Sequence, residues 1–501
     1  MIRFAVTLAA GFVLATCAAA EPVRVKVEGG ALAGAADAEA SIFRNIPFAA
    51  APVGDLRWAP PRRVKSWRGE REAVKAGPSC PQPMLAGDIP NSGGANGPVS
   101  EDCLQLNVFA PPGATKAPVM VWIHGGGHRT GAGWVYDGRA FARDGVILVA
   151  TNYRLGALGY FAHPALTRAA GGQPTGNYGL MDQIAALKWV KRNIAAFGGD
   201  PTNVTVLGES AGGMSTLAIL ATPAAKGLYQ KAIVESGGGW FPPVTLADKE
   251  REGLAAMAGL GVADTAKARD LRALPVDKLV ALNANYGPFL DGRLMTATPS
   301  QALVRGTFAD VPLIIGANSG EDSLMGRGPF TAQQLAAWVT PAARLIYHKE
   351  ATISDEAVAR AAFGDRVMVG PARWVAAQAS AGQPAWLYHF AYVGDRFRKA
   401  GVTTAAHAAE IQYVFEYWGR RTPMSVVSDE DKTMARRMHA CWVAFARTST
   451  PACGETAWPA YDPRADELMA FGMTSGVRSR FRKLSLDPME AAVLPSLKLA
   501  N

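Results

Sequence analysis

Asn203-Val204-Thr205-Val206-Leu207-Gly208-Glu209-Ser210-Ala211-Gly212-Gly213 is the stretch on which the reading of this chain turns. Val204, Val206 and Leu207 form a short β-prone run that predicts a buried strand. The run ends in Gly208-Glu209-Ser210-Ala211-Gly212, a G-x-S-x-G pattern, and residues from Ala211 to Ala221 predict a helix of little polarity. Strand, sharp turn and helix are the context in which that pattern marks a nucleophile elbow. The two glycines are expected to let the backbone bend tightly without Cβ clashes, with the serine held in a strained conformation and its hydroxyl exposed above the helix N-terminus. Glycine makes up 53 of 501 residues, so the pentapeptide alone could arise by chance. Its meaning therefore depends on whether the chain also supplies an acid, a base and an oxyanion hole.

Working outward, Pro118 to Ile123 predicts an apolar strand running into His124-Gly125-Gly126-Gly127-His128. Three glycines after a strand are costly in conformational entropy, and they make sense where backbone N–H groups must approach a ligand closely. Val146 to Ala150 predicts another strand. The span from Tyr178 to Phe197 predicts a helix, because Leu180, Ile184, Leu187, Val190, Ile194 and Phe197 recur at three- and four-residue intervals before Gly198-Gly199. Strands are expected at Lys231 to Glu235, Pro312 to Gly316 and Trp386 to Tyr392, and Ala-rich helices between Leu246 and Ala302. Ser428 and Asp431 form a capping-box start to a helix that should bury Met434, Met438, Cys441, Trp442 and Phe445. This alternation argues for an α/β fold with a mostly parallel sheet, preceded by short antiparallel strands over residues 22–48.

Composition sets the outer bounds. Apolar residues are 49% and charged residues 19%, as in a globular protein with a large core. The net charge of +9 is spread along the chain without a polybasic run or a nucleic-acid motif, which argues against a nucleic-acid partner. Residues 1–20 read as a secretory signal: Arg3, an apolar run from Phe4 to Leu14, then Ala18-Ala19-Ala20 before Glu21. That run is too short to span a bilayer. Leu14-Ala15-Thr16-Cys17 offers a lipoprotein reading, but Thr16 suits it poorly, and cleavage after Ala20 is preferred. The expectation is an exported protein, periplasmic or secreted, with residues 21–501 as one domain. Cys80, Cys103, Cys441 and Cys453 then remain, and four cysteines can pair in three ways. The local pairings, Cys80 with Cys103 and Cys441 with Cys453, close short loops. No clustered Cys or His pattern points to a metal.

Taken together, the ordered motifs resemble the type-B carboxylesterases, the α/β-hydrolase branch that contains cholinesterases, neuroligins and many bacterial esterases. The motifs are Ile46-Pro47-Phe48-Ala49 with Leu56-Arg57-Trp58, Glu101-Asp102-Cys103-Leu104-Gln105-Leu106-Asn107, the triple glycine, and Asn152-Tyr153-Arg154-Leu155-Gly156. Gly176 to Gln183, Phe197-Gly198-Gly199-Asp200-Pro201 and the elbow complete them. The resemblance implies one α/β-hydrolase domain, a large twisted, mostly parallel sheet flanked by helices. It places the acid at Glu321, within Gly316 to Glu321, and the base at His407, within His407 to Phe415. Asp322 and Ala408 stand where glycine is common. The order Ser210, Glu321, His407 is that of the fold.

By the same resemblance the backbone N–H groups of Gly126, Gly127 and Ala211 form the oxyanion hole. Cys80–Cys103 matches a frequent disulfide, and Arg57 with Glu101 and Arg154 with Asp182 match buried ion pairs. The implied chemistry is ester hydrolysis through an acyl-enzyme on a small-molecule ester, with no cofactor and no metal. Two alternatives are an amide or β-lactam hydrolase with the same triad, and a non-catalytic binding protein. No tryptophan lies between Cys80 and Cys103, so the aromatic cation site of cholinesterases is not evident. His128 and Arg129 follow the oxyanion glycines directly, where the family usually has an apolar residue. They are the candidate substrate contacts, suited to an ester bearing a carboxylate.

Overall fold

The short apolar runs become strands buried along their whole length, because helices cover both faces of the sheet they join. The computed structural model describes residues 22–499 apart from 88, 327, 329, 420 and 421; the expected leader, with Cys17, lies outside the described residues. In chain order the strands are β1 (Val23–Val27), β2 (Gly30–Ala36), β3 (Ser41–Pro47), β4 (Glu70–Glu72), β5 (Gln105–Ala110), β6 (Ala117–Ile123) and β7 (Ile147–Thr151). They continue with β8 (Gly199–Glu209), β9 (Lys231–Glu235), β10 (Leu313–Asn318), β11 (Ala385–Phe390), β12 (Glu467–Phe471) and β13 (Gly476–Ser479). Among the described residues they form one sheet of 13 strands, ordered β1-β2-β3-β5-β7-β6-β8-β9-β10-β11-β12-β13, with β4 paired to β2.

Pairing is parallel from β7 through β6, β8, β9, β10 and β11 to β12. The antiparallel strands at the N-terminal edge continue into this sheet through the β5–β7 pair. On β6, Val119, Val121 and Ile123 enter one core layer while Met120 and Trp122 enter the other, the period of two expected of a strand. Helix Tyr178–Asn193 covers the first layer and ends in a 3-10 turn, Ile194–Phe197, before left-handed Gly198. Helix Asp429–Thr448 covers the second, buries Met434, Met438, Cys441, Trp442 and Phe445, and starts with the capping box of Ser428 and Asp431. No helix among the described residues is long and apolar enough to cross a membrane.

Cross-links hold the loops that frame the sheet. Cys80–Cys103 and Cys441–Cys453 are both disulfides. Arg57 grips Glu101 with Nε at 2.7 Å and Nη2 at 2.5 Å. Arg154 grips Asp182 with Nε at 2.7 Å and Nη2 at 2.8 Å, both side chains being buried. Removing the carboxylate would leave a guanidinium in the core without its counter-charge. Asp182→Ala should therefore lower the unfolding free energy by about 3–5 kcal/mol. Urea titration checks this, and a loss below about 1 kcal/mol would show the pair to be solvated.

Candidate active site

The elbow is built by a lack of space. Strand β8 ends at Glu209, helix Ala211–Leu220 begins one residue later, and Ser210 between them takes φ 55° and ψ −123°. A Cβ on Gly212 would lie 2.0 Å from the carbonyl oxygen of Ile123, and one on Gly208 2.5 Å from the carbonyl carbon of Gly212. Glycine is thus required at both positions by close approach. The strained, positive-φ conformation falls on Ser210 itself rather than on the two elbow glycines. Its N–H donates to Glu235 O at 2.9 Å, and its carbonyl accepts from Met214 N at 2.8 Å, which pins the turn on both sides.

Strand β6 lies beside β8 and delivers the glycines. A Cβ on Gly125 would sit 3.1 Å from Ser210 Cβ, so the loop touches Ser210. Gly126 and Gly127 follow with φ 99° and 64°, and Gly126 O accepts from Arg129 N and Thr130 N at 3.1 and 3.0 Å. Ala211 is the first residue of the elbow helix, so its N–H belongs to the donors a helix leaves without an intrahelical acceptor. These are the groups expected to hold an oxyanion, and they stand on either side of Ser210.

Glu321 begins the turn after β10 and is 1% exposed. Its Oε1 accepts from Ser236 Oγ at 2.6 Å and Asn318 N at 2.7 Å, which leaves Oε2 for His407 Nδ1 at 2.6 Å. His407 comes from a loop held to that turn by its own N–H, which donates to Ser323 Oγ at 2.9 Å. Ala408 takes φ 66°, the physical reason for glycine at that point, and Asp322 pairs with Arg360 at 3.3 Å. On its other side, His407 Nε2 faces Glu209 Oε1 at 3.1 Å and has no hydrogen-bond partner among the described residues. The structure therefore joins Glu321 to His407 and brings His407 to the residue preceding the candidate nucleophile.

The sequence reading overlooked the carboxylates around this ring. Glu209, Glu235 and Glu410 are at most 3% exposed, and burial raises all three, Glu209 to about 8 and Glu410 to about 7. Burial disfavours a charged His407, but Glu209, Glu321 and Glu410 outweigh it and raise the imidazole to about 10. The signal was present, since Glu209 adjoins Ser210 and Glu410 lies three residues past His407. Their convergence depends on the sheet order.

A cavity of about 670 Å³ opens beside His407, Gly126 and Glu209, walled by Trp134, Tyr136, Tyr392, Tyr413, Tyr417 and Trp418. His128 does not face it. Its ring is buried at 1% exposure and shares a hydrogen bond of 3.0 Å with Ser215 Oγ, so the expectation of a substrate contact there is corrected. The positive φ of 54° turns the side chain into the protein. Arg129 lies nearer the surface, with Nη1 donating to Asn283 Oδ1 at 2.6 Å and Nε buried without a hydrogen-bond partner among the described residues.

Comparison with known proteins adds a second line of support. The family model described as the carboxylesterase family matches residues 21–336 and 329–487. Fumonisin B1 esterase of Sphingopyxis macrogoltabida is 35% identical over 466 residues, covering 88% of this chain and 85% of that protein. Para-nitrobenzyl esterase of Bacillus subtilis (strain 168) is 35% identical over 460 residues, covering 85% of this chain and 90% of that protein. Among solved structures, a PNB esterase aligns with a TM-score of 0.79 at 32% identity, over 92% of this chain and 99% of its own.

The strain at the elbow is separable from its chemistry. Ser210→Ala and Ser210→Gly both delete the hydroxyl, but only glycine takes φ 55° and ψ −123° without strain. The glycine variant should be more stable than the alanine variant by about 1–3 kcal/mol. Thermal and urea unfolding of the pair measure the difference; equal stabilities would mean the turn relaxes.

Proposed function

This chain belongs to the carboxylesterase family and is a carboxylic-ester hydrolase; we propose that its acyl-enzyme forms on Ser210. The observation that carries the reading is the Glu321–His407 hydrogen bond, with His407 Nε2 against Glu209, the residue before Ser210, and Gly125, just past the adjoining strand, against Ser210. Ser210 Oγ attacks the ester carbonyl while His407 Nε2, turned from Glu209 toward the serine, takes its proton. Glu321 fixes the ring's tautomer and stabilises the imidazolium. The N–H groups of Gly126, Gly127 and Ala211 hold the tetrahedral oxyanion. His407 then protonates the leaving alcohol, and water releases the acid by the reverse sequence.

Proton return to the leaving oxygen orients the substrate. The alcohol must lie on the His407 side, in the aromatic-walled cavity, which suits a bulky apolar alcohol. A para-nitrobenzyl ester, named for one relative, fits that description. The acyl part then lies on the side of Arg129 and Asn283. Arg129 Nε is buried and has no hydrogen-bond partner among the described residues, which favours a carboxylate-bearing acyl group that reaches its guanidinium as the substrate. The two disulfides suit an oxidising compartment, and we assign export with cleavage after Ala20.

The test is hydrolysis of matched neutral and carboxylate-bearing esters across pH. Ser210→Ala should lose nearly all turnover; a variant that keeps it would end the reading. Activity requires neutral His407 and so falls as pH drops through a value the carboxylates have raised. Glu209→Gln removes one of them, so the acid limb of kcat/KM should move to lower pH, and an unmoved limb would deny Glu209 that influence. Arg129→Ala should lose about ten- to a hundredfold on carboxylate-bearing esters alone. Equal losses on both esters would make Arg129 structural.

A further inference from the structure

Gly126 and Gly127 lie in a loop, whereas Ala211 begins a helix, and no single element spans both. An oxyanion hole made from two such pieces works only if their register is held to a few tenths of an ångström, and glycines with φ of 99° and 64° resist little by themselves. His128 follows Gly127 directly. Its carbonyl accepts from Gly156 N at 2.7 Å, and its ring packs edge-on against Tyr160 at 4.9 Å. The ring nitrogen Nε2 meets Ser215 Oγ at 3.0 Å, on the helix that begins at Ala211. Gln183 Nε2 donates to the same hydroxyl at 3.0 Å, bringing in the long helix Tyr178–Asn193. The backbones of Ala211 and Tyr286 also interact with the ring, and a Cβ on Gly287 would lie 3.2 Å from Nδ1.

We propose that His128 is a positioning residue that locks the glycine loop to the elbow helix and so sets the spacing of the oxyanion donors. The inference rests on the oxyanion assignment above. The imidazole joins the loop, the elbow helix and the Tyr286–Gly287 segment, which lines a neighbouring cavity of about 140 Å³. A phenylalanine at this position would fill the ring's volume and leave the Ser215 hydroxyl with Gln183 alone, unlinked to the glycine loop. Burial lowers the imidazole to about 3, so the lock stays neutral throughout the range in which His407 titrates.

The experiment compares wild type, His128→Phe, Ser215→Ala and the double variant, with kcat expressed per site titrated by an organophosphonate. Each single variant should lose about ten- to a hundredfold in kcat with KM little changed. A reversible trifluoromethyl ketone, which binds as an oxyanion, should weaken by the same factor. The double variant should be no worse than the weaker single one, because both remove one contact. The acid limb of the pH profile should stay at its wild-type position, separating this role from that of His407. Ser215→Ala leaves the loop sequence intact and carries the test if His128→Phe does not fold. Unchanged kcat per titrated site, or a loss without weakened ketone binding, overturns the inference while the triad reading stands. Titration at a residue other than Ser210 overturns both.

Discussion

The contact between Gly212 and the carbonyl of Ile123 is the constraint on which the rest depends. With only 2.0 Å available to a Cβ there, the elbow helix presses directly on the end of β6. That closeness forces Ser210 into its strained turn, and it also sets the origin of the glycine loop, since β6 runs straight into His124 to Gly127. The helix N-terminus, the serine and the loop are thus three consequences of one packing distance. The cost of a strained residue is borne because the strand and helix on either side are buried and over-determine the turn.

The electrostatics follow from the same topology. Parallel strands β8, β9 and β10 end at one edge and bring Glu209, Glu235 and Glu321 there, and Glu410 arrives with the His407 loop. Carboxylates this deeply buried are costly when charged, and burial together with mutual repulsion raises Glu209, Glu235 and Glu410. A single imidazole relieves part of that repulsion by protonation. The ring is therefore a proton acceptor whose strength depends on its neighbours as well as on Glu321. Its position against Glu209 places it between two carboxylates, one fixed by Ser236 and Asn318 and one with an open oxygen.

Much of this was legible in the chain because local rules and the fold agree. The elbow, helix Tyr178–Asn193, strand Lys231–Glu235 and the capping box at Ser428 came from periodicity and cap residues alone. Boundaries at Leu313–Asn318 and Ala385–Phe390 shifted by one or two residues because pairing with neighbours, not propensity, ends a strand. The elbow glycines avoid Cβ clashes and the strain falls on Ser210, as the strand-turn-helix context of the pentapeptide implies. One expectation failed for a physical reason. His128 reads as a substrate contact by its place in the sequence, yet a positive φ turns it inward. The convergence of the buried carboxylates was not legible, although Glu209 and Glu410 adjoin the motifs, because the order of strands brings them together. The C-terminal strands β12 and β13, and the helices between β10 and β11, carry no motif that singled them out.

The central claim is covalent catalysis by Ser210. A carbamate ester tests it most directly, because a carbamoyl-enzyme loses its group slowly and survives acid quenching. Wild type should carry one carbamoyl group per chain by intact mass, located by peptide mapping on Ser210 and absent from Ser210→Ala. A carbamoyl group on another residue, or inhibition that leaves Ser210 unmodified, would contradict it.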